Sequence, residues 1–111
     1  MNGDVIRSLA LALATGDPDA ARPLLTPDAE WEIVGHATFR GRDAILATLA
    51  TRRKTPQVTV DRVLTEGNAG AVNGTIVLSA THARRFCDLY ELTGTHDAAV
   101  RRILSYDLRV P

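Results

Sequence analysis

The chain has a single cysteine, no excess of either charge, no long apolar run and no glycine-rich phosphate motif. Each absence excludes something. With Cys87 alone no internal disulfide can form, and the chain suits a reducing cytoplasm. Thirteen Lys and Arg balance thirteen Asp and Glu at a pI near 6.8, so the bulk attraction that nucleic acid or an anionic membrane requires is missing. The apolar run at residues 9–14 is too short to span a bilayer, and no basic leader or small-residue cleavage site flanks it, so a cytoplasmic protein with no membrane contact is expected. Three scattered histidines, His36, His82 and His96, lack ligand spacing, and no Cys or carboxylate cluster joins them, so no metal site is expected. A nucleophile elbow and a dinucleotide fingerprint are absent too, which makes any chemistry here cofactor-free.

What remains is an ordinary globular composition, 45% hydrophobic and 23% charged, in 111 residues, enough for one domain over 1–111 with one core. Val5, Ile6, Leu9, Ala10, Ala12 and Leu13 recur at helical spacing, with Asp4 placed as N-cap and Gly16 as the stop. Asp17-Pro18 repeats the start signal and opens a short helix that Thr26-Pro27-Asp28 ends. Residues 29–34 alternate, with Trp31 and Ile33 on the core phase, and predict a half-buried strand. Residues 35–41 read as a loop carrying His36, and residues 42–53 as a third helix closing on Arg52-Arg53-Lys54, with Pro56 beyond. Two β-rich runs follow, one opening with Val58, Val60 and Val63 and ending at the turn Glu66-Gly67-Asn68, the other at residues 71–80 and interrupted by Asn73-Gly74, which predicts a bulge or a bend. The last two strands are residues 81–92 and 99–110, joined by the loop Thr93-Gly94-Thr95-His96-Asp97. Helices early and strands late describe an α+β domain, its helices laid on one face of a curved, mostly antiparallel sheet.

The stretch Phe86-Cys87-Asp88-Leu89-Tyr90-Glu91-Leu92 is apolar on both alternating phases, which predicts a central strand covered on both faces. One phase carries Phe86, Asp88, Tyr90 and Leu92. A carboxylate in the middle of a core phase must be paired, hydrogen-bonded or protonated, because burying it charged costs several kcal/mol. Leu89, Leu104, Tyr106 and Leu108 make the opposite sheet face too apolar for water, and a homodimer through that face is the simplest cover.

Five segments taken in order resemble the nuclear transport factor 2 superfamily, and within it the SnoaL-like and ketosteroid isomerase-like proteins. They are Ala14-Thr15-Gly16-Asp17, Leu25-Thr26-Pro27-Asp28-Ala29-Glu30-Trp31, Gly41-Arg42-Asp43-Ala44-Ile45, the stretch around Asp88, and Ile103-Leu104-Ser105-Tyr106-Asp107. The resemblance covers nearly the whole chain and implies a cone-shaped, cystatin-like α+β fold enclosing a mostly apolar pocket, commonly in a dimer. Function must come from the site, since this fold hosts isomerases, epoxide hydrolases, cyclases, dehydratases and members with no chemistry. The ketosteroid isomerase pattern puts Leu9 at its tyrosine and Ile33 at its general base, so of that set only Asp88 matches. The epoxide hydrolase Asp-Arg-Asp pattern fails as well, with Phe86 at the arginine and Ser105 near the second aspartate. SnoaL-like cyclases, which depend on one pocket aspartate, resemble the chain better.

Asp88 is thus the candidate acid or base on a small, largely apolar ligand, against a purely structural, paired carboxylate. His36 and Asp107 are the other candidates, read against a solvated loop histidine and an exposed salt bridge. Trp31, Ile33, Phe86, Tyr90, Ile103 and Ser105 are the expected pocket wall, and Cys87, on the opposite phase, a small buried hydrophobe. Two readings stay open: a cofactor-free isomerase, cyclase or hydrolase, or a non-catalytic member that binds a small apolar ligand or serves as a dimeric module, and the loss of two of the three isomerase positions favours the second.

Overall fold

The computed structural model describes residues 1–52, 57–96 and 98–110. Helix α1 spans Asn2–Thr15, α2 Pro18–Ala21, followed by a 3-10 turn at Arg22–Leu24, and α3 Arg42–Thr51. Strands β1 (Leu25–Ile33), β2 (Ala37–Arg40), β3 (Gln57–Glu66), β4 (Ala69–Val77), β5 (Ala83–Leu92) and β6 (Val100–Val110) form one sheet in the order β2-β1-β6-β5-β4-β3. All neighbours are antiparallel except β1 and β6. The class is the α+β architecture expected, three helices packed on a curved sheet.

The helix signals act where the residues place them. Gly16 stops α1 in the left-handed region at φ 73°, a conformation cheap only for glycine. Asp17 caps α2 by accepting from the Ala20 amide at 3.1 Å, with Pro18 in the first turn. Helix α1 nevertheless begins two residues before Asp4, with no side chain capping it. The buried Asn2 side chain instead ties the helix start to the β5–β6 connection, donating to the Gly94 carbonyl at 3.0 Å and accepting from the Ala98 amide at 3.3 Å.

Four boundaries differ from the sequence pattern, each for a local reason. Strand β1 starts at Leu25, through Thr26-Pro27-Asp28, and its pairing with β6 jumps from Leu25 to Glu30, since Pro27 has no N–H for the ladder. Residues 37–40 are a four-residue edge strand, too short and too exposed to show a period. Strand β4 runs straight through Asn73-Gly74, and the bulge falls opposite, on β3 between Val60 and Arg62. There glycine is needed for close approach: a Cβ on Gly74 would lie 2.9 Å from the Phe86 ring across the ladder. Helix α3 ends at Thr51; Arg53, Lys54 and Pro56, and Asp97 of the last loop, lie outside the described residues.

The helices cover one sheet face. Ile6, Leu9 and Leu13 of α1 and Ile45 and Leu49 of α3 are buried with Trp31, Val72, Phe86, Tyr90, Leu92 and Ile103 of the strands. Strand β5 is central, between β4 and β6, but only its inner phase is covered. On the outer face of the single chain Leu64, Leu89, Tyr106 and Leu108 are exposed, Leu108 at 75%, and Cys87 is half-buried. Among the described residues no helix is long and apolar enough to cross a membrane.

Candidate functional site

The site grows from the pleat of two paired strands. On β5 the period of two turns Phe86, Asp88 and Tyr90 to the helices; on β6 the antiparallel ladder sets Asp107, Ser105 and Ile103 directly beside them. Strand β1 continues the row, with Ile33 beside Ser105 and Trp31 beside Ile103. Between this floor and the end of α1 lies a cavity of about 40 Å³, lined by Leu13, Ala14, Trp31, Ile33, Arg52, Ile76, Phe86, Asp88, Ser105 and Asp107. Asp88, Trp31 and Phe86 are buried at its base, whereas Ile33, Ile76, Asp107 and Arg52 are half-buried or exposed at its rim. A volume of this size holds about one water molecule.

Asp88 is 4% exposed and is the only buried carboxyl among the described residues. The Tyr90 hydroxyl donates to its Oδ2 at 2.8 Å. Trp31 Nε1 donates to Ser105 Oγ at 2.8 Å, which leaves the Ser105 hydroxyl proton for the Asp88 carboxyl beside it. Burial raises the Asp88 pKa from 3.8 to about 6; the Ser105 and Tyr90 hydroxyls oppose the rise, Asp107 adds to it and Arg52 opposes it. Desolvation therefore dominates, and the two donors keep the ionised form within reach near neutral pH. The Tyr90 phenol is pushed well above its usual range by burial and by Asp88, so it remains a donor.

Asp107 reaches the cavity and is also ion-paired: Arg84, on the same inner phase of β5, contacts its Oδ1 at 3.1 Å and Oδ2 at 3.4 Å. Ile103 is fully buried beneath the wall and does not line the cavity, and Tyr90 acts on it only through Asp88. His36 sits exposed in the β1–β2 turn and is not among the lining residues. Cys87 points away from Asp88, and burial raises its thiol pKa. Leu9 is fully buried core and Ile33 lines the wall, so neither position of the isomerase pattern carries a polar group here. Among the described residues no group of three or more His, Cys, Asp and Glu is placed to hold a metal.

Sequence reasoning missed Arg52. It follows the last turn of α3, and its guanidinium carbon lies 4.9 Å from the centre of the Trp31 ring, a cation–π contact. Its Nη1 donates to the Leu13 carbonyl at 3.3 Å. The signal was present: Ile45, Leu49 and Arg52 follow at steps of four and three, on the face that α3 turns to the sheet.

A family profile described as a SnoaL-like domain matches residues 5–102. The chain belongs to the SnoaL-like family. Solved structures agree on the fold. An NTF-2 like protein of unknown function from Burkholderia xenovorans LB400 superposes with a TM-score of 0.77 at 19% identity, over 97% of this chain and 85% of that one. A putative ketosteroid isomerase from Kribbella flavida DSM 17836 gives 0.79 at 20% identity, over 97% and 78%. An LEH-like epoxide hydrolase from M. tuberculosis gives 0.75 at 20% identity, over 95% and 80%. No curated protein sequence matches this SnoaL-like chain. Such identities carry the fold and leave the activity to be argued from the site.

Proposed function

We propose that this SnoaL-like protein takes a small, mainly apolar molecule at the Asp88 cavity and moves a proton on it without a cofactor, as an isomerase, cyclase or hydrolase does. The observation that carries the reading is the buried Asp88 carboxyl, facing a cavity that opens at its rim and having a pKa of about 6. A carboxyl that ionises near neutral pH accepts a proton in one half of a cycle and returns it in the other. Tyr90 and Ser105 position that carboxyl and stabilise its anion, and Trp31, Ile33 and Phe86 supply the apolar wall. Asp107, held by Arg84, acts on Asp88 through its field. The cavity admits the reacting end of a ligand, and the remainder stays at the rim.

A second reading, compatible with the first, rests on the outer sheet face. Leu64 on β3, Leu89 on β5, and Tyr106 and Leu108 on β6 stand exposed on one sheet face, apolar surface of the kind that pairs with a second copy. The protein is then a homodimer through that face, and with its lone thiol it belongs in the cytoplasm.

An NMR pH titration of the Asp88 side-chain carboxyl, assigned with Asp88→Asn, tests the first reading. A midpoint near 6 supports a desolvated proton carrier. A midpoint at or below about 4 marks a solvated or paired carboxylate and removes the residue on which the reaction rests.

A further inference from the structure

Around the cavity Arg52 feels the fields of Asp107 and Asp88, but only Arg84 forms an ion pair with a carboxylate there. Arg84 and Asp107 neutralise one another at 3.1 Å. Arg52 has no such partner: among the described residues its guanidinium donates to one acceptor, the Leu13 carbonyl, and otherwise rests on the Trp31 ring above the cavity. A guanidinium carries five N–H donors and stays cationic at any physiological pH, and among the described residues only one protein acceptor meets them. The same ring roofs the Ser105 hydroxyl at the base, through Trp31 Nε1. A planar cation at the rim, the Ser105 hydroxyl and the Asp88 carboxyl at the base, and a space of about 40 Å³ define the shape of what fits.

We propose that the cavity recognises a small carboxylate, the Arg52 guanidinium holding its anionic oxygens at the rim and Asp88 facing it from the base. The substrate class of the site is then an organic acid that presents its carboxylate to Arg52. The fork of Arg52 matches a carboxylate bidentately, and its contact with Trp31 fixes the plane in which the fork is presented. Asp88 is compatible with an anion only when protonated. One negative charge balances Arg52, and a second must leave.

Binding is therefore linked to proton uptake at Asp88, and for this pH dependence the inference rests on the proton-carrying reading given above. The charged groups facing Asp88 are Arg52 from the end of α3, Asp107 and its partner Arg84 across β6 and β5, and Tyr90 on β5 itself. The lining residues from α1, β1 and β4 are Leu13, Ala14, Trp31, Ile33 and Ile76, none of which titrates.

Formate, with three heavy atoms and ionised throughout the range, is the probe, and formamide is its neutral counterpart. Trp31 is the only tryptophan, so its indole N–H gives one NMR signal from the cavity wall. Formate is expected to move that signal saturably, with affinity falling about twentyfold from pH 5.5 to pH 7.5. Arg52→Gln is expected to weaken formate at least about tenfold and leave formamide unchanged, with Arg52→Lys between them. Asp88→Asn is expected to keep formate binding and flatten its pH dependence. No saturable shift with formate, equal affinity for formamide, or an Arg52→Gln variant that binds formate like wild type would each overturn the proposal. Arg52-dependent binding with no pH dependence keeps the carboxylate and rejects Asp88 as its proton-coupled partner, so the two readings fail separately.

Discussion

Strands β5 and β6 present two opposite surfaces from one stretch of backbone. Inside, Phe86, Asp88 and Tyr90 face Asp107, Ser105 and Ile103, and the polar groups among them are all engaged: Tyr90 with Asp88, Ser105 with Trp31, Asp107 with Arg84. Outside, Cys87 and Leu89 face Tyr106 and Leu104, with Leu108 beyond, and large apolar side chains stand open to solvent. The informative residues are those on the unexpected side, a buried carboxyl and an exposed apolar row. Burial tunes the first toward proton chemistry, and exposure leaves the second in want of a cover.

The comparison breaks most visibly at Asp88. Its pKa in the folded state, about 6, lies above the ordinary 3.8, so the folded protein holds the proton more tightly than the unfolded chain. The stabilisation this brings is complete below pH 3.8 and is lost as pH rises through 6, about 3 kcal/mol on an order-of-magnitude reckoning. Urea unfolding of wild type and Asp88→Asn between pH 4 and pH 8 should show wild type losing about that much relative to the variant. Parallel pH curves would mean that Asp88 is not desolvated.

A smaller change sharpens the inner face. Tyr90→Phe removes a donor to the ionised carboxyl, so Asp88 should titrate about one pH unit higher, near 7, by NMR. A midpoint that stays put or falls would show that the 2.8 Å bond does not favour the anion. The smallest effect on stability belongs outside. Leu108→Lys, at 75% exposure, should change the stability of the single chain by less than about 0.5 kcal/mol while sedimentation shows a wild-type dimer turned monomer. A wild-type protein that sediments as a monomer leaves the outer face without the cover proposed for it.

Much of the inner face was legible from period alone. Phe86, Asp88, Tyr90 and Leu92 share a phase whatever the register, and the structure buries all four. Asp107 and Ser105 were legible as one phase of β6, but which residue stands opposite Asp88 depends on the β5–β6 register, and that is a tertiary fact. The expectation that β5 would be covered on both faces is met on one face only in the single chain, because sheet patterning reports which side chains avoid water and not what covers them. Strand β2 escaped notice because four exposed residues at an edge carry no periodic signal. The bulge was looked for on β4, where the glycine is, and lies on β3, which bends around it.

The residues by themselves determined the helix stop at Gly16 and the helix start at Asp17, the alternation around Trp31 and around Asp88, and the presence of one carboxyl on a core phase. These follow from backbone geometry within a few residues, where neighbours along the chain decide the outcome. Only the tertiary structure decided that Ser105 and Tyr90 hold that carboxyl, that Arg84 occupies Asp107, and that Arg52 lies over Trp31. The Ser105, Arg84 and Arg52 contacts join positions more than fifteen residues apart. Strand register and the angle of α3 bring such partners together, and packing of the whole core sets both.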